Sequence, residues 1–115
     1  MAGLNNAAKE AALDHLGSLI THISIHNDDP GAGGANELGV SRESISWNAA
    51  SGGNLDSQGT QEFSVTSGTT IHSVGLWSAA SGGDFYGSKA LASPETFSND
   101  GTFTVNDIDI NINDA

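Results

Sequence analysis

The chain has 115 residues, 37% of them hydrophobic and 15% charged, with 14 acids against three basic residues and a net charge of −11. One domain is expected at this length, and the scarcity of lysine and arginine excludes nucleic-acid binding by phosphate neutralisation and argues against docking on an anionic membrane. With no cysteine there is no disulfide framework, thiolate metal site or cysteine nucleophile, and no apolar run approaches the ~20 residues of a membrane span.

At the N-terminus no basic start leads into an apolar stretch, so no secretory signal is expected, and exit from a producing cell would be by lysis or within a particle. Asn5 or Asn6 can cap a helix. Behind them Ala7, Ala8, Ala11, Ala12, Leu13, Leu16, Leu19 and Ile20 recur at helical spacing, and Gly17 is expected to end or bend the helix. Residues 1–20 are read as a helical unit that docks either on its own domain or on a neighbouring subunit, and 21–115 as the β domain.

From Thr21 the period changes to two. In His22-Ile23-Ser24-Ile25-His26 the isoleucines take one face, and His22, Ser24 and His26 take the other, expected to be solvated. Asn27-Asp28-Asp29-Pro30-Gly31 breaks the strand with turn-forming residues. Further strands are predicted at 43–47, 61–66, 70–78, 84–91, 102–105 and 108–112, with exposed loops at 28–39 and 49–58. In the run from Asp107 to Asn113 the isoleucines point in, and the Asp and Asn residues point out. Short strands between Gly, Ser and Asn turns make the fold class mainly β: an antiparallel, jelly-roll-like β-sandwich with one N-terminal α-helix. Trp47-Asn48-Ala49-Ala50-Ser51-Gly52-Gly53-Asn54 is echoed by Trp77-Ser78-Ala79-Ala80-Ser81-Gly82-Gly83-Asp84, two strand-to-turn corners rather than a repeat array. Both tryptophans are expected to be buried.

Little in the chain suggests catalysis. His22 and His26 would lie ~13 Å apart along a strand, too far to share a metal. Asn27-Asp28-Asp29 lacks the spacing of a calcium loop and reads as an Asx-type turn. Asp107 and Asp109 are outward strand acids, and the glycine run 31–34 has neither the lysine nor the following helix of a phosphate cradle. No enzyme, cofactor or metal is expected. The dispersed acidity has two readings: solubility by self-repulsion, or a high-salt host in which carboxylate repulsion is screened.

Asn5-Asn6-Ala7-Ala8-Lys9, the run His22 to Gly31, Gly34-Ala35-Asn36-Glu37, Ile45-Ser46-Trp47, Ile71-His72-Ser73-Val74-Gly75-Leu76-Trp77-Ser78-Ala79 and Phe85-Tyr86-Gly87 together resemble the small tail-fibre-like or minor tail proteins of tailed phages. The resemblance spans nearly the whole chain. It implies a virion location and a non-enzymatic, multi-copy part: a tail fibre, tail tip or head-surface decoration. Its partners would be itself, as a homo-oligomer, other virion proteins and a host-surface glycan or glycoprotein. The chain departs from the family where it has Val40-Ser41-Arg42 and in its acidity, which taken with the resemblance suggests a tailed virus of haloarchaea. The candidate interaction surface is Ala8 and Ala12 on the helix with Asp28, Asp29, Asn36 and Glu37 in the first loop. The alternative function is a carbohydrate-binding β-sandwich module, for which Trp47 or Trp77 would have to stand exposed.

Overall fold

A computed structural model describes residues 3–112; the outer ends of the two expected units, and Asn113 of the alternating last strand, lie outside the described residues. Asn5 caps helix α1 (Asn6–Leu19), its side chain accepting the Ala8 amide at 2.9 Å. Gly17 does not end the helix, which runs on to Leu19. A Cβ at position 17 would stand 3.4 Å from the Leu55 and Trp47 side chains, so the glycine lets the helix lie close to its neighbours. Only part of the apolar stripe is used. Leu13 and Ile20 are buried, while Ala7, Ala8, Ala11 and Ala12 are exposed. On the polar side Asp14 accepts the Ala50 amide at 2.7 Å and Glu10 accepts the Gly52 amide at 2.9 Å, tying the helix to the first glycine corner.

Among the described residues nine strands follow: β1 (His22–His26), β2 (Glu43–Ser44), β3 (Ser46–Trp47), β4 (Asn54–Gln58), β5 (Gln61–Val65), β6 (Thr70–Trp77), β7 (Phe85–Thr96), β8 (Gly101–Val105) and β9 (Asp109–Asn111). All pairings are antiparallel, in the orders β2-β1-β6-β7, β3-β4-β9 and β5-β8. The fold is thus mainly β with one helix, as the spacing of turns predicts.

The second and third groups form one layer. β4 continues into β5 and β8 into β9, so that 54–65 runs against 101–111 as a single ribbon whose register slips by one residue between Asp56↔Asp109 and Gln61↔Val105. Gly59, at φ 64°, takes the bend. Ile23, Ile25, Ile71, Val74 and Leu76 of the four-stranded sheet meet Phe63, Val65, Phe103 and Val105 of the ribbon in one core.

Several predicted boundaries are corrected. The strand expected at 43–47 is broken at Ile45: β2 pairs with β1 in one layer and β3 with β4 in the other, so the chain changes layers there. Ile45 itself is buried, with its amide on the Thr21 carbonyl at 3.0 Å. The loop expected over 49–58 contains β4, which has only one large apolar residue, Leu55, and so gave almost no apolar alternation. β7 runs to Thr96, well past the expected 91. Opposite His72 alone it bulges over residues 91–94, and Pro94 fits there because the edge needs no ladder donor. The last strand shrinks to Asp109–Asn111, and Ile108 before it is a buried core residue.

Candidate functional site

The outer face of the four-stranded sheet is where the conspicuous polar residues gather. Ser24, His26, Ser73, Gly75 and Trp77 share this face, because they alternate with the isoleucines, Val74 and Leu76. It is not solvated. His26 is 0% exposed and Ser24 1%, which overturns the expected polar face of β1. The glycine-rich segment 27–42 folds back over it. Asn27 donates to the Asn36 carbonyl and Leu38 to that of Ile25, and Arg42 lies 3.7 Å over the Trp77 ring. Gly34, at φ 77°, passes so near that a Cβ would fall 2.6 Å from the indole.

Under this cover runs one hydrogen-bond chain. His26 Nδ1 is 2.7 Å from the Ala35 carbonyl oxygen. A carbonyl only accepts, so this nitrogen carries the proton. His26 Nε2 then accepts the Ser24 hydroxyl at 2.6 Å, and Ser24 Oγ accepts the Trp77 indole N–H at 2.7 Å. Each buried group in the series has a partner. Arg42 closes the cover from outside. It makes a two-pronged pair with Glu37, at 2.8 and 3.0 Å, and donates to the carbonyls of Ala79 and Gly82. Much of what makes the sequence distinctive, from His26 through Arg42 to Trp77, therefore serves to fix a loop.

The residues expected to form the interaction surface lie on two elements, the helix and the first loop. Ala8 and Ala12 are exposed on the helix. Asp28 and Asp29 are exposed, but their carboxylates accept the Asp29 and Gly31 amides, the latter an Asx turn as the residues predict. Asn36, at φ 64°, donates to the Asp29 carbonyl, and Glu37 is held by Arg42. Of the two tryptophans, Trp77 is 8% exposed, and Trp47 is half-buried with its indole N–H on the Ile20 carbonyl at 3.0 Å. Neither is an open stacking platform. His15 is exposed, and His72 bonds the neighbouring Ser73 hydroxyl.

A feature missed in the sequence lies on the bent ribbon. Asp56, Asp107 and Asp109, all exposed, bring carboxylate oxygens within 4.8 Å of one another. Oxygen ligands so spaced could be bridged by a hard cation. Asp56 belongs to the unrecognised β4, so only Asp107 and Asp109 were legible as neighbours. The carboxyl group of Asp109 has its pKa raised above the ordinary 3.8, first by its hydrogen bond to Asp56, then by a loss of hydration and repulsion from Asp56; Asp107 and Lys89 act the other way. The folded chain therefore holds this proton to higher pH than the unfolded chain, and its stability falls as pH rises through the shifted value. Asp109→Asn is expected to melt at a higher temperature than the wild type at pH 7. The gain should shrink on acidification and in 1 M NaCl, where the Debye length is ~3 Å. A variant that melts lower at pH 7 would contradict the repulsion.

The model of a family described as Podophage GP4 fiber I protein gp80 matches residues 4–113. No curated protein matches the chain.

Proposed function

The chain belongs to this family of phage fibre proteins, a virion family, and on that premise we propose that it is a multi-copy, non-enzymatic building block of a tail fibre. In this role it associates with itself and with other virion proteins, and its exposed loops contribute to host attachment. The observation that carries the reading is the family match over nearly the full length. The structure supports it in kind: Ser24, His26 and Trp77 bond one another or the covering backbone, Arg42 bonds Glu37 and two carbonyls over the Trp77 ring, and together they hold the segment 27–42 on the sheet. A sugar-binding module would need an exposed aromatic platform, and the inward bonds of Trp47 and Trp77 speak against one there.

The acidic surface adds a finer proposal, a host living in high salt. It is supported by the net charge and by the carboxylate cluster, and the family match does not bear on it.

The test of the fibre reading is labelling of purified particles with an antibody against the chain. Label on the tail appendages is expected. Label confined to the head, or particles without the chain, would overturn it.

A further inference from the structure

We propose that β8 is a self-pairing edge: two copies of the chain join antiparallel along β8 about a two-fold axis at Phe103, merging their β5–β8 pairs into one four-stranded sheet. The proposal rests on the reading above that the chain self-associates, and it names the surface.

Among the described residues, β8 pairs only with β5, so one side of its backbone is open. Natural edges are usually guarded by lysine, proline or a bulge. β7 has all three, in Lys89, Pro94 and the bulge at 91–94. β8 has none. Its register with β5 is unbroken from Gln61↔Val105 to Val65↔Gly101, Phe103 and Val105 point into the core, and Thr102 and Thr104 are exposed. Beside it opens a groove of ≈770 Å³ toward the bulge of β7, with Val74, Leu91, Phe103 and Val105 in its lining. An added strand would bind through its main chain.

The sequence around β8 says which strand. Around Phe103 the sequence reads Thr102-Phe103-Thr104 in either direction, and the flanks are Asn99-Asp100 before the strand and Asn106-Asp107 after it, so that reversal sets each Asp against an Asn. In antiparallel self-pairing Thr102 faces Thr104 of the partner subunit, a favourable cross-strand pair. Just beyond the strand Asp100 faces the partner's Asn106, and Asn99 faces the partner's Asp107. A chain with net charge −11 can self-associate only where acids do not meet acids, and in this register no carboxylate opposes another. The two-fold makes the interface isologous and closed.

Two variants of the full chain test the register. Both carry Thr104→Lys, which places a lysine opposite Glu62 within the chain. Thr102→Lys/Thr104→Lys sets lysine against lysine across the two-fold, although it lowers the net charge. Thr102→Glu/Thr104→Lys sets glutamate against lysine. Light scattering over a concentration series at low salt should show a wild-type dimer or multiple of it, association weakened about tenfold or more in the first variant, and association retained in the second. Circular dichroism checks that each is folded. If neither variant weakens association, the β8 pairing is overturned while self-association stands; if both abolish it, the two-fold register is overturned. A wild type that is monomeric throughout overturns the self-association reading with it. Should the first variant fail to fold, hydrogen exchange of wild-type β8 amides decides: slowing with protein concentration supports the pairing, and no change overturns it.

Discussion

Trp77→Ala is expected to cost about 3–5 kcal/mol of stability, a large part of the ~5–15 kcal/mol that holds a typical domain. The indole supports the loop from below. Its ring centre is 5.0 Å from that of Phe85, Arg42 rests on its face, and its N–H satisfies Ser24. Truncation opens a cavity under Gly34, unseats the guanidinium and leaves Ser24 without its donor. Trp47, half-buried and bonded only to the Ile20 carbonyl by its N–H, provides the comparison. Trp47→Ala should lose about half as much. Urea unfolding followed by circular dichroism measures both, and equal losses would show that Trp77 has no special part in holding the loop.

Gly75→Ala should be nearly as damaging, at about 3 kcal/mol, though it adds a single methyl group. That carbon would lie 2.5 Å from His26 Nε2 and 2.6 Å from Ser24 Oγ. Neither side chain can retreat, since the histidine is bonded at both ring nitrogens and fully buried. Gly39→Ala is the control: nothing lies within 4 Å of the added carbon and the backbone is not in the left-handed region, so a change within about 0.5 kcal/mol is expected. Thermal unfolding of the pair tests the claim. A Gly75→Ala chain as stable as the wild type would mean that the buried chain of hydrogen bonds can shift aside.

Where side chains alternate in polarity, the sequence was readable. Helix α1 and its Asn5 cap, the inward isoleucines of β1, the long β6 and the acid-lined β9 all follow from period and capping. The failures have one physical source, polar residues that are buried by something distant. Ser24 and His26 have the spacing of a wet strand face, and only the return of residues 27–42 makes them interior. The clue available was compositional: Gly75 lies opposite Ser24, and a run of glycines follows in the loop, both signs of close backbone approach. β4 escaped because Ser57 takes an inward position that an apolar residue would have marked, its hydroxyl accepting the Ile108 amide at 2.8 Å. With β4 went the knowledge that Asp56 stands beside Asp109. Of the candidate surface, Asp28 and Asp29 were legible as turn formers, whereas the pairing of Glu37 with Arg42, and of Arg42 with Trp77, depends on a loop path that no local pattern reports.

The passage of the chain between layers at Ile45 has a consequence for how the molecule is made. Strands β2 and β3 are separated by one residue yet belong to opposite walls, so the two walls are tied to each other within a single residue. All strands of the four-stranded wall lie before residue 97, whereas the opposite wall needs residues 101–111. That second wall closes only after residues near position 110 have been synthesised and have met Asn54–Gln58. Such a topology, dominated by distant partners, is slow to form, and a newly made copy spends that interval with its pairing edges uncovered.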